Sequence, residues 1–199
     1  MSPSSKLGAA SHLILGLLAL EGPRTSYELN DVIDESVGNF WNIPRSQLYA
    51  APRRLAELGL VTEEQEETGR RRRTFTITEE GQQAVRDWIE SPSTMPELRD
   101  SALLRLFFAD LVDPAAMQRL AADQTELHQR RLDHYLELTE AGRTEEFWGA
   151  SLVLRMGVHH ERAHVAFWTE LGERLEAEAA GEQPAEPTGT PPTGAENER

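Results

Sequence analysis

The chain has 199 residues, enough for one or two domains whose cores are self-sufficient. It holds no cysteine, which excludes a disulfide scaffold, a thiolate zinc site, an iron-sulfur cluster and a cysteine nucleophile, and which fits a reducing, cytoplasmic setting. With 20 basic against 34 acidic residues, net charge -14 and 39% hydrophobic residues, the composition is that of an ordinary soluble chain whose acidity disfavours nonspecific nucleic-acid binding. Any DNA-binding reading therefore needs positive charge concentrated in one place.

In chain order, the longest apolar run covers residues 13–20 with Gly16 inside it, far short of the roughly 20 apolar residues that span a bilayer. No small-x-small cleavage site follows, so the run reads as a buried first helix over 11–20, ended by Gly22-Pro23, rather than as a leader. Thr25 and Glu28 form a capping box for a second helix with Leu29, Val32 and Ile33 as its buried stripe and an end near Gly38. A loop with Phe40 and Trp41 leads to a third helix over 45–58, in which Leu48, Leu55 and Leu58 face inward and Gly59 is the stop. The β-prone runs 60–62 and 74–78 flank a polar stretch and read as a hairpin. Thr78 then caps a fourth helix running through Ala84, Val85, Trp88 and Ile89. Three helices, a hairpin and a helix make a winged helix-turn-helix domain over 1–95.

Proline, serine and threonine between positions 92 and 96 mark a boundary. Residues 1–95 hold 10 basic and 14 acidic groups and residues 96–199 hold 10 and 20, so most of the acidity lies in the second half. The spacing predicts helices over 97–112, over 113–141 with Asp113 as cap and Pro114 in the first turn, and over 144–177. The last carries an apolar stripe through Trp148, Leu152, Met156, His159, Ala163, Phe167, Leu171 and Leu175; the middle one carries Leu120, Leu127, Leu132 and Leu136. Such half-polar helices need a partner for their stripes. Residues 181–199 are acidic, rich in proline and glycine, and predict a disordered tail. The fold class is mainly α with a small β-hairpin, a winged helix-turn-helix domain followed by an α-helical domain over 96–180.

Several of these residues carry a resemblance. Tyr27-Glu28-Leu29, Leu48-Tyr49, Arg54-Leu55, Gly59-Leu60-Val61, Gly69-Arg70 and Ile77-Thr78-Glu79-Glu80-Gly81 resemble the signature of PadR-family transcriptional regulators. Leu104-Arg105-Leu106-Phe107-Phe108 through Asp113-Pro114 is similar to the opening of the long helical C-terminal domain of that family's larger subfamily. Ser26 stands where the family commonly has glycine, and Pro52 where it commonly has leucine in the third helix. A proline there removes an interior hydrogen bond and predicts a kink, at about 3 kcal/mol if uncompensated. The resemblance implies a homodimeric repressor that presents two wings to a pseudo-palindromic operator on double-stranded DNA and that senses phenolic or drug-like molecules.

Gly69-Arg70-Arg71-Arg72-Arg73 supplies the concentrated charge, at the expected wing tip. Along an extended strand these side chains alternate, so two of the four reach DNA while the others face Glu63, Glu64, Glu66 or Glu67; the plain alternative is a solvated turn with cross-strand ion pairs. In the third helix Arg45, Ser46, Gln47 and Tyr49 are the candidate base readers and Arg53 a phosphate contact, with Tyr49 alternatively a core aromatic. Trp148, Trp168, Phe107 and Phe108 are candidates for lining an aromatic effector cleft, against plain core packing.

His160-Glu161-Arg162-Ala163-His164 spells H-E-x-x-H, the pattern in which zinc proteases carry two ligands and a general base. A third ligand and a substrate-aligning scaffold are missing from the sequence, so the expectation is no enzyme, no metal and no cofactor. A zinc hydrolase at His160, Glu161 and His164, and a winged helix serving only as a protein-interaction module, are the two alternatives.

Overall fold

The structure is a computed structural model, and it describes residues 7–35, 37, 41, 43–66, 71–93, 95–96, 98–142 and 147–181. The chain divides into two compact units that part between Pro96 and Glu97. The tail beyond 181 and the second helix's expected end at Gly38 lie outside the described residues.

In the first unit, α1 (Ala9–Glu21) buries Ile14, Leu15 and Leu18 and ends at Gly22, whose φ of 79° suits a residue without Cβ. The capping box forms: Glu28 accepts from the Thr25 backbone N–H at 2.8 Å and Thr25 Oγ1 accepts from the Glu28 N–H at 3.3 Å, starting α2 (Ser26–Glu35). α3 (Arg45–Glu57) buries Leu48 and Leu55 and turns out at Gly59, φ 74°. Leu58, expected inward, is 49% exposed, because the helix has already ended at Glu57. Pro52 does not interrupt α3; its ring is fully buried, and that burial offsets the hydrogen bond it cannot donate.

β2 (Val61–Gln65) and β3 (Arg73–Ile77) form the antiparallel hairpin, and α4 (Glu79–Glu90) follows with Thr78 Oγ1 accepting from the Gly81 N–H at 3.1 Å. A third strand escaped the sequence reading: β1 (Arg24–Thr25) pairs antiparallel with β3, making the sheet order β1-β3-β2. Two residues are too few to show alternation. The core joins Ile14, Leu18, Leu29, Ile33, Leu48, Leu55, Val61, Phe75 and Val85. Trp88 and Ile89 remain 47% and 68% exposed; Trp88 lies flat on His12, with ring centroids 4.6 Å apart.

Gly81 is fixed by close approach. A Cβ there would lie 2.1 Å from the Leu60 carbonyl oxygen and 2.8 Å from Ile77 Cγ1. Gly81→Ala is expected to push α4 off the hairpin at a cost of about 3 kcal/mol, read as a lower urea midpoint. An unchanged midpoint would contradict this packing.

The second unit opens with α5 (Ser101–Phe107), shorter than the predicted helix because Asp100 caps it by accepting from Ala102 and Leu103 N–H, and a 3-10 turn over Ala109–Leu111 follows. α6 (Pro114–Glu140) has its proline in the first turn, though Asp113 makes no side-chain cap bond. α7 (Trp148–Ala179) returns antiparallel to it: Gln118 donates to the Leu175 carbonyl near one end, while Tyr135 lies against Gly157 farther along. Two apolar clusters line this seam, one around Leu120, Ala121 and Trp168, the other around Leu132, Tyr135 and Val158.

The expected α7 stripe is corrected. Val158, Glu161 and Trp168 are the buried positions, whereas Trp148, Leu152, Met156 and Phe167 are 78%, 42%, 66% and 45% exposed. Leu152 and Leu154 differ by about 200° around the helix, so α7 has two apolar faces, and α6 covers the one that the charged Glu161 disguised. Likewise Leu127 of α6 is 48% exposed and His128 takes the buried place beside it.

Candidate nucleic-acid interface

Leu48 and Leu55 commit one face of α3 to the core, which turns Arg45, Ser46, Gln47, Tyr49, Arg53 and Arg54 to solvent. Tyr49 is 47% exposed and is therefore no core aromatic. Where this face meets the sheet there is an open cleft of about 590 Å³, lined by Ser46, Tyr49, Arg53 and Arg54 of α3, Ser26 of α2, and Arg73 and Phe75 of β3. Ser26 and Arg54 were not among the expected site residues. Arg54 lies eight residues beyond Ser46 and four beyond Ala50, a spacing legible in the sequence; Ser26 is brought in by β1, which was not. Gln47 is exposed but does not line the cleft.

Arg45 meets Asp34 of α2 at 2.8 Å, with both side chains largely in water. Such a pair contributes under about 1 kcal/mol, so it orients the guanidinium without withholding it from a stronger anion.

The wing separates its arginines. Arg71 has φ 50°, a left-handed turn conformation, and the Glu66 N–H closes the turn on the Arg72 carbonyl at 3.0 Å. Arg71 and Arg72 are exposed, whereas Arg73 is half-buried and paired with Glu63 at 2.5 Å, diagonally across the ladder in which Arg73 faces Gln65. Arg70 lies outside the described residues. Arg72 also acts on the capping Glu28: the Thr25 hydrogen bonds hold that carboxyl below its usual range, and Arg24 and Arg72 add to the effect.

The four effector candidates do not form one cleft. Trp168 is fully buried among Ala102, Leu120 and Ala121, a core tryptophan whose Nε1 has no hydrogen-bond partner among the described residues. Trp148 stands 20 residues earlier on α7, about 30 Å away at 1.5 Å per residue, and is open to solvent. Phe107 and Phe108 pack edge to face, centroids 5.1 Å apart, both exposed.

The fold divides H-E-x-x-H between a buried and an exposed side of α7. Glu161, the residue that would act as base, is 2% exposed and bonded to His128 Nδ1 at 2.5 Å, while His160 is exposed and His164 stacks on His128. Among the described residues no group of three histidine or carboxylate side chains could hold a metal ion, so the hydrolase alternative finds no support. Among them, too, no helix is long and apolar enough to cross a membrane.

A winged helix-turn-helix with an outward polar α3, followed by a long antiparallel helix pair, defines the class: a winged-helix transcriptional regulator. Residues 14–87 match the transcriptional regulator PadR-like family and residues 98–176 the virulence activator alpha C-terminal family. The chain belongs to the PadR-like transcriptional regulators, in the larger subfamily with a long helical C-terminal domain. It is 26% identical over 170 residues to the negative transcriptional regulator PadR of Bacillus subtilis (strain 168), covering 80% of this chain and 92% of that one. The crystal structure of B. subtilis PadR in complex with operator DNA is similar at TM-score 0.76 and 23% identity, covering 84% of this chain and 99% of that one. PadR in complex with p-coumaric acid is similar at TM-score 0.72 and 23% identity, over 83% and 98% of the two chains.

Proposed function

We propose that this regulator is a homodimer that binds a pseudo-palindromic operator in the cytoplasm, acts as a repressor, and is released by a small aromatic effector, with no catalytic role and no cofactor. The observation that carries the reading is the cleft in which Ser46, Tyr49 and Arg53 of the third helix meet Arg73 of the wing. Ser46, Gln47 and Tyr49 read base edges, with Arg45 after it exchanges Asp34 for an acceptor on DNA; Arg53 and the exposed wing arginines Arg71 and Arg72 hold phosphates. Base-reading residues lie on the exposed face of a helix whose opposite face is locked into the core, the arrangement that a major-groove reader requires.

The dimer reading is supported by the second apolar face of α7, where Trp148, Leu152, Met156 and Phe167 stay exposed in the single chain. The division between Pro96 and Glu97 gives operator reading to the first unit and pairing to the second. For the effector, the exposed Phe107–Phe108 pair and Trp148 remain candidates, and the complexes of PadR with operator DNA and with p-coumaric acid make a phenolic acid the first compound to try. Trp168 is left out because a core residue offers no entry.

Selection of genomic fragments by the purified protein tests the reading. A symmetric motif with half-sites about one helical turn apart is expected; fragments without any shared motif would favour the protein-interaction alternative. Gln47→Ala should then relax the preference at one base pair per half-site, costing about 1–3 kcal/mol on the operator and little on random DNA. Equal losses on both would contradict a reading role.

A further inference from the structure

Between the two apolar clusters of the α6–α7 seam lies a belt of titratable groups. Glu161, 2% exposed, accepts from His128 Nδ1 at 2.5 Å and lies 3.8 Å from Arg131. The His128 ring stacks on His164 with centroids 4.2 Å apart, and His164 is 4.5 Å from His160. Three imidazoles thus stand in a row across two helices around one buried carboxylate. Stacked rings do not converge on a metal ion, but each binds a proton, and adjacent imidazolium ions repel in a setting that screens charge poorly.

We propose that His128, His160 and His164, gathered around the buried Glu161 carboxylate, make the α6–α7 seam a proton sensor that is closed at neutral pH and loosened by mild acid. Among the described residues, the charged groups acting on the middle ring are His128 from α6, His160 and Glu161 from α7, and Asp100 at the head of α5, with Arg131 of α6 beside Glu161. Tyr135, one turn along α6 from Arg131, is held neutral by burial and by Glu161. One proton in the row is matched by Glu161; for a second, the remaining carboxylate acting on the middle ring among the described residues is the half-buried Asp100. Burial, then His128 and His160, hold the His164 imidazole below its ordinary value despite Glu161 and Asp100. Its proton is therefore taken up more readily by the opened seam than by the closed one. The stability involved is complete above the ordinary value of 6.5 and is lost as the pH falls from there through the depressed value, by up to about tenfold in the closing equilibrium per pH unit.

Consequences for DNA rest on the dimer reading given above. Acid adds positive charge to the chain, which by itself tightens DNA binding, so a sensor acting through the dimer reveals itself by the opposite sign. The test uses the full-length protein and follows histidine Cε1 protons by NMR from pH 8 to 5, with sedimentation and operator anisotropy at pH 7.5 and 5.5. The His164 imidazole should titrate below 6.5, as should the buried His12 of the first unit; the dimer should dissociate, and operator affinity should fall about tenfold. In His164→Asn the fall should shrink to twofold or less. In His12→Gln, which removes a buried histidine of the first unit, it should persist. Histidines that all titrate independently near 6.5, or a fall that survives His164→Asn or vanishes in His12→Gln, would overturn the proposal. A protein that is monomeric yet binds its operator fully at pH 7.5 would instead overturn the dimer reading, and the NMR titration would still decide the sensor.

Discussion

Alanine at both Arg71 and Arg72 is expected to weaken binding to every DNA sequence alike, by on the order of tenfold to a hundredfold at moderate salt, and to lower the slope of log affinity against log salt by about two. Each guanidinium that neutralises a phosphate releases condensed counterions worth roughly 0.9 in that slope, and among the described wing arginines these two are exposed. Arg73→Ala should change the slope by clearly less than one unit, because Glu63 already neutralises that side chain. Glu63→Gln should accordingly raise nonspecific affinity by releasing it. A salt series on operator and random duplexes checks all three variants; an unaltered slope in the double variant would remove the wing from the interface.

Trp168→Ala is expected to cost about 3–5 kcal/mol, since it empties the centre of the cluster formed with Ala102, Leu120 and Ala121 and leaves a cavity that helices 27 and 32 residues long cannot collapse around. Trp168→Phe should cost much less, because the indole N–H it deletes has no partner to lose among the described residues. Denaturant unfolding distinguishes the two. If Trp168→Ala instead left stability within 1 kcal/mol and abolished an effector response, the tryptophan would return to the ligand site from which its burial removes it.

The winged helix was legible because its signals are local. Thr25 and Glu28 are three residues apart, Gly59 and Thr78 each mark a helix boundary, and the Leu48–Leu55 stripe orients α3 and hence its reading face. What escaped is what depends on contacts distant in sequence. β1 is a strand only because β3 returns beside it, some 50 residues later. The apolar face of α7 that α6 covers includes Glu161, a residue that any periodicity argument assigns to solvent, and its acceptability inside depends on His128 lying 33 positions earlier. The same dependence governs the aromatics: Trp148 and Trp168 look equivalent along one helix, but the second is buried against α6 and α5 while the first is exposed.

The wing sheet has another property, which concerns solubility. β2 is an outer edge, and β1 covers β3 only at Phe75 and Thr74, so the hairpin offers backbone donors and acceptors to any extended segment that approaches. Two copies meeting along β2 would bring Glu63 and Glu64 against the same carboxylates. Two meeting at the tip would bring guanidinium against guanidinium. Charge that serves recognition therefore also keeps the hairpin from templating an intermolecular sheet, and neutralising the wing to study DNA binding should lower the concentration at which the protein stays dispersed.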